Sequence, residues 1–200
     1  MRLLACLLCL PALAAAEAPK WREQGLVDGM KVELREVPRS AFEEIRVSTT
    51  STEPIGRLCE VIFGKGAAAK GEGNFKKREV LRETATERWT YEQIALPVVS
   101  DRDYVIHVKI EKPADTGSCE ISFRTVDDPS RPPVPGMVRL ASVRGYWWVA
   151  PIAAGRVKIV YQVFSDPGGS VPAFLARGSQ RSAAVEFLKT ILTRAKSKGP

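Results

Sequence analysis

Hydrophobic and polar residues alternate along most of this chain with a period of two, the spacing that sends successive side chains to opposite faces of a strand. Val32 and Leu34 alternate with Lys31, Glu33 and Arg35, so Met30 to Val37 reads as a strand that turns at Pro38-Arg39-Ser40. Phe42 to Ser51, carrying Ile45, Val47, Thr49 and Thr50, reads as its hairpin partner. Six further strands are expected over 78–84, 88–96, 103–111, 118–126, 137–149 and 156–164, separated by turns containing Gly, Pro, Asp or Ser. The sum is an antiparallel sheet of about eight strands.

Two segments change period. Thr52 can cap and Pro54 suits a first helical position, after which Ile55, Leu58, Cys59, Ile62 and Phe63 fall at helical spacing until Gly64. A longer helix is expected from Val171 to about Lys196. Phe174, Leu175, Ala184, Val185, Leu188, Ile191, Leu192 and Ala195 form its apolar stripe, with Arg177, Arg181, Glu186, Lys189 and Arg194 mostly elsewhere. Asp166-Pro167-Gly168-Gly169 before it can only turn, because Pro fixes φ and the glycines accept positive φ, and Pro172 suits the first turn of the helix. With no spare residues between strand and helix, the helix must lie back across the sheet. The Gly-, Ala- and Lys-rich stretch 65–73 has no apolar period and is expected to be an exposed loop.

The order Arg102-Asp103-Tyr104-Val105, then the Trp-rich strand Gly145-Tyr146-Trp147-Trp148-Val149-Ala150-Pro151, then Gly155, Tyr161, Asp166 to Gly169 and Val171-Pro172, resembles the START domain. That is the lipid-transfer domain related to steroidogenic acute regulatory protein. The resemblance runs from about Trp21 to Ala195 and is densest in the second half. It implies an α+β helix-grip fold, a curved antiparallel sheet wrapped around a long C-terminal helix, enclosing a tunnel for one lipid or sterol-like molecule.

The start of the chain has the form of a signal peptide: Arg2, an apolar run from Leu3 to Leu13, and Ala14-Ala15-Ala16 before Glu17. Eleven apolar residues are too few to span a bilayer, so cleavage near Ala16 is expected, with residues 17–200 a single exported domain, periplasmic or secreted. Cleavage removes Cys6 and Cys9, leaving Cys59 and Cys119, which an exporting compartment allows either to pair or to stay as two buried thiols. Arg2 supplies one unit of the formal net charge of +7, so the mature domain keeps +6, compatible with anionic lipid surfaces or with nucleic acid. Export argues against nucleic acid as a partner and for transient contact with a membrane.

The lining of the implied tunnel follows from parity. Tyr104, Ile106, Val108 and Ile110 alternate with Asp103, His107 and Lys109, and Ile121 and Phe123 with Glu120, Ser122 and Arg124, so the apolar sets are expected to face inward. Tyr146 and Trp148 share one face and Trp147 and Val149 the other; both faces are apolar, and parity does not choose between them. Val157, Ile159 and Tyr161 complete the wall, and the helix contributes Phe174, Val185, Leu188 and Leu192. The expected ligand-binding set is Tyr104, Ile106, Val108, Ile121, Phe123, Arg139, Tyr146, Trp148, Ile159, Tyr161, Phe174, Val185, Leu188 and Leu192. The resemblance offers Arg139 as a charged group inside the tunnel with Glu120 as its candidate partner; parity argues against Glu120, because Ile121 and Phe123 claim the inner face, and favours a solvated surface arginine over the internal pair. By the same resemblance the proline-rich loop 127–136 is a lid beside the terminal helix, or else a stiff connection.

Catalytic and metal chemistry find little support in the sequence. His107, the one histidine, has no partner motif for a hydrolytic triad, no cluster of metal-ligating residues remains after the leader, and the glycines between Gly64 and Gly73 lack the Lys-Ser or Lys-Thr of a phosphate loop. What the resemblance implies is non-enzymatic binding and carriage or sensing of a lipid, sterol or fatty acid, and the expectation is of a monomer without a cofactor. The alternative is a cyclase- or hydrolase-like enzyme using the same cavity, for which Arg139, Glu120 and Tyr161 are the candidate residues.

Overall fold

The computed structural model describes residues 19–64, 74–96, 99–140, 142–169, 171 and 173–197, without the side chains of 173–177. The expected leader, the loop 65–73 and Pro172 lie outside the described residues. Ten strands run in chain order with two helices: β1 (Arg22–Val27), β2 (Met30–Glu36), β3 (Glu43–Ser51), α1 (Ile55–Phe63), β4 (Phe75–Glu83), β5 (Glu87–Ile94), β6 (Arg102–Lys112), β7 (Cys119–Val126), β8 (Val138–Arg139), β9 (Ser142–Pro151), β10 (Val157–Asp166) and α2 (Ala173–Lys196). They form one curved sheet in the order β1-β2-β3-β10-β9-β7-β6-β5-β4, antiparallel except that β8 runs parallel to β6 at its side.

The expected strands and both helices are present, and the hairpin of β2 and β3 has Val32 opposite Val47. The expected count of eight rises to ten for two reasons. β1 is exposed along its whole length and carries no alternating apolar face to reveal it. The segment 137–149 is broken after Arg139, so that β8 leaves β9 and pairs with β6.

Helix α2 packs on β3, β10 and α1, and α1 also packs on β6, β7 and β9, so the two helices close the concave side of the sheet. The core between them draws on Val32, Val47, Ile121, Val149, Ile159, Leu188 and Ile191, all fully buried. Cys59 of α1 and Cys119 of β7 form a disulfide, which resolves the open pairing and ties α1 to the sheet across 60 residues of sequence.

The Arg-Asp-Tyr segment at the start of β6 fixes three parts of the fold. Arg102, 2% exposed, donates from Nε to the Pro167 carbonyl (3.0 Å), from Nη2 to the Gly168 carbonyl (3.1 Å) and from Nη1 to the Ser100 carbonyl. It thereby holds the turn that launches α2, where Gly168 and Gly169 take φ of 64° and 63°, the positive values expected from the Pro-Gly-Gly run. Asp103 points to the convex face and Tyr104 to the concave one.

Candidate functional site

The concave wall is built by cross-strand partners that share a face. Trp147 lies opposite both Tyr161 and Ile121, and Phe123 lies opposite both Val108 and Gly145. Tyr161 stacks on Trp147 with ring centroids 4.2 Å apart, Phe123 lies 6.0 Å from Tyr161, and Phe187 of α2 meets Trp147 and Tyr161 edge-on at 5.7 and 5.5 Å. Gly145 makes room for this cluster, since a Cβ there would stand 2.6 Å from the Phe123 ring and 2.0 Å from the Gln162 carbonyl oxygen.

Of the residues predicted to line the site, Tyr104, Ile106, Ile121, Phe123, Ile159, Tyr161, Val185 and Leu188 are buried in the core between sheet and helices, and Val108 and Leu192 pack partly buried against it. Phe174 lies outside the described side chains.

Three predictions of direction are corrected. Tyr146 and Trp148 belong to the convex face: each alternates with the inward Trp147, Tyr146 is 37% exposed, and Trp148 pairs with Glu120 and Val160. A strand apolar on both sides conceals its inner face, and here register decides it. Arg139 is also outside, donating from Nε to Asp103 Oδ1 (3.0 Å) and from Nη2 to Asp103 Oδ2 (2.9 Å), with Tyr91 donating to the same carboxylate at 3.1 Å. The hydrogen bonds to Asp103 raise the Arg139 pKa, so the guanidinium stays charged. Glu120, paired with Trp148, is on the convex face as well, and the trio Arg139, Glu120 and Tyr161 is not assembled.

The proline-rich loop lies over the convex face of β4 to β6. Asp128 accepts from Arg82 at 2.7 Å, Arg131 pairs with Glu79, and Arg139 Nη2 donates to the Arg131 carbonyl at 3.0 Å. Glu79 stands opposite Tyr91 and Arg82 opposite Trp89, both on that face. The loop is thus clasped to the back of the sheet, a correction to its expected place at the mouth, although Val138 of β8, two residues beyond it, lies near Gly169 at the entry to α2.

The sequence reading missed a polar group on the concave face of β4 and β5. Arg88, Thr90 and Glu92 stand opposite Val108, Ile106 and Tyr104, which face inward. Glu92, 2% exposed, pairs with Arg78 through one oxygen and accepts from the Tyr104 hydroxyl at 2.5 Å through the other. Burial, and then the Glu92 charge, push the Tyr104 and Tyr161 phenols upward, so both remain protonated. The available signal was the cross-strand register with Tyr104, which parity within a single strand does not give.

The sequence pattern of the START domain matches residues 30–199. The chain is a member of the START-domain family. This START domain is similar to the uncharacterized protein PA1579 of Pseudomonas aeruginosa, 29% identical over 184 residues that cover 92% of this chain and 90% of that protein. Its structure is similar to that of the STAR-related lipid transfer protein (fragment 25–204) from Xanthomonas axonopodis, with a TM-score of 0.77, 28% identity, and coverage of 88% of this chain and 99% of that one. It shares its fold with human StAR-related lipid transfer protein 5 at a TM-score of 0.75 and 19% identity, covering 88% of this START domain and 86% of the human chain. Lipid binding or transfer is the general function this membership supports.

Proposed function

We propose that this protein encloses one hydrophobic molecule, a lipid, sterol or fatty acid, between the concave face of its sheet and α2, and carries it without changing it chemically. The observation that carries the reading is the aromatic and aliphatic wall of Tyr104, Ile106, Phe123, Trp147, Ile159 and Tyr161 facing Val185 and Leu188 of α2. Apolar surface removed from water contributes roughly 25 cal/mol per Å² to affinity with no charge contact required. Exchange requires α2 to separate from β3 and β10, the strands it packs on.

The separation of Arg139 and Glu120 from Tyr161 supports carriage over catalysis, because an acid or base outside the core has no access to an enclosed substrate. The carrier works outside the cytoplasm as a monomer, after loss of residues 1–16, and docks transiently on anionic membranes through its basic surface, where each lysine or arginine near the lipid contributes about 1 kcal/mol.

Native mass spectrometry of the protein purified from its own host, followed by organic extraction, tests this reading. One molecule of lipid per chain is expected. A clean apo mass, with no uptake from added lipid vesicles, would overturn it.

A further inference from the structure

A single row of cross-strand partners crosses the convex face from β4 to β10: Arg82, Trp89, His107, Arg124, Arg144 and Phe164. Its rings are already engaged. The Arg82 guanidinium lies 4.3 Å from the Trp89 ring centroid, Trp89 stacks on His107 with centroids 4.3 Å apart, and Arg144 covers the buried Phe164 ring at 4.1 Å. In the middle of the row Arg124 and Arg144 face each other on the adjacent strands β7 and β9, about 5 Å apart in backbone, and both are exposed.

Like charges directly opposite each other weaken a sheet, and among the described residues no carboxylate lies within salt-bridge distance of either arginine. The neighbouring carboxylates are committed elsewhere: Glu87 to His107 at 3.2 Å, Glu111 to Lys109 at 2.9 Å and to the Ser122 hydroxyl at 2.7 Å, and Asp128 to Arg82 at 2.7 Å. Glu120, four residues before Arg124 on β7, stands opposite Trp148. Tyr146 follows Arg144 by two residues and shares its face. Of the large hydrophobic side chains exposed among the described residues, Leu26, Val27 and Val80 belong to the edge strands and Ile152 to the turn between β9 and β10; Tyr146 lies on a central strand. Exposed arginines beside an exposed aromatic ring have the composition of a protein interface and its anchor residues.

We propose that Arg124, Arg144 and Tyr146 form a docking site for an acidic segment of a partner protein, which holds the carrier by its back and leaves α2 free to open. Carboxylates set against the two guanidiniums relieve their repulsion and accept paired N–H donors. A nucleic acid fits less well, because base stacking needs open ring faces, and those of Trp89, His107 and Phe164 are taken by one another or by arginine. A bilayer fits less well too, since it meets a convex sheet along a narrow line and cargo leaves on the opposite side, where α2 packs. The choice of protein over membrane rests on the carrier reading above; the unpaired arginines do not.

The test measures binding by fluorescence anisotropy of a labelled peptide of about 12 residues, alternating Glu and Ser, and of the same peptide with Gln for Glu, in about 0.05 M salt. The Glu peptide is expected to bind about 10-fold or more tightly, with the gap narrowing as salt rises. Arg124→Ser combined with Arg144→Ser should bring the gap to within about twofold, and Tyr146→Ser should weaken the Glu peptide about threefold. Arg156→Ser combined with Lys196→Ser removes the same charge from exposed positions outside the row and should leave affinity within about twofold of wild type. Because the arginine pair is unfavourable in the free protein, its removal should leave Tm within about 2 °C of wild type or above it, whereas a structural role would lower it.

Equal affinity for the two peptides, a gap that survives the double arginine variant, or an equal loss in the charge-matched control would overturn the site. A loss confined to phosphatidylglycerol vesicles or to oligothymidylate, with the peptide gap intact, would overturn it in favour of a membrane or a nucleic acid. Each of these results leaves the lipid-carrier reading standing, which native mass spectrometry decides separately.

Discussion

Replacing Arg139 by Met separates two accounts of that residue. In the structure its guanidinium grips Asp103 through two hydrogen bonds of 3.0 and 2.9 Å, and the Asp103 side chain is 0% exposed. Arg139→Met leaves that carboxylate with Tyr91 alone, at 3.1 Å. Breaking a buried pair by removing one partner costs about 3–5 kcal/mol; Arg139 is itself 22% exposed, so water reaches the site and the lower end, about 3 kcal/mol, is expected. For a domain of this size that is a fall in Tm of about 6–12 °C. Urea unfolding should show a lower midpoint at an unchanged m-value. Asp103→Leu combined with Arg139→Met should cost much less than the two single changes added together, because no buried charge then lacks a partner. Lipid affinity of the folded Arg139→Met protein should match wild type within about twofold, since the pair lies behind the sheet. Stability within about 0.5 kcal/mol of wild type, together with a large loss of lipid affinity, would refute the reasoning and put Arg139 inside the cavity.

Gly145→Ala should destabilise by about 3 kcal/mol in the same assay, because the new Cβ meets the Gln162 carbonyl at 2.0 Å and backbone cannot step aside. Loss of the Cys59–Cys119 disulfide, by Ser substitution at both positions, should cost about 4 kcal/mol from the entropy of opening a loop of 60 residues, read as a lower urea midpoint. Hydrogen bonds from Ser130, and then from Arg82, hold the Asp128 carboxyl below its usual pKa. Its contribution is therefore present above the unfolded-state value, about 3.9, and is lost as pH falls through the lower folded value; Asp128→Asn should flatten that part of the stability profile, measured by thermal unfolding between about pH 2 and 5. Lipid transfer from anionic vesicles should slow as salt rises from about 0.05 to 0.5 M, and transfer from neutral vesicles should not.

Strands whose two faces differ in polarity were legible in the sequence. β6 announced its inward set, Tyr104, Ile106 and Val108, because Asp103, His107 and Lys109 alternate with them. β9 did not, because Tyr146 and Trp148 cover the convex face as Trp147 and Val149 cover the concave one, and only pairing with β7 and β10 distinguishes the two sets. Asp103 looked like a solvated residue by parity, yet it is buried, because β8 and the proline-rich loop fold over the back of the sheet. The concealed part of the candidate site follows the same rule. Arg88, Thr90 and Glu92 are polar residues on an inward face, and a polar-out reading of alternation turns them the wrong way until their partners on β6 are known.

The central claim, a lipid held between the concave face and α2, is tested most directly by photocrosslinking. The protein would be loaded with a fatty acid carrying a diazirine at mid-chain, irradiated, digested and mapped by mass spectrometry. Adducts are expected on peptides from the inward-facing positions Tyr104, Ile106, Phe123, Tyr161 and Leu188. Adducts confined to Tyr146, Trp148 or the loop 127–136 would contradict the claim.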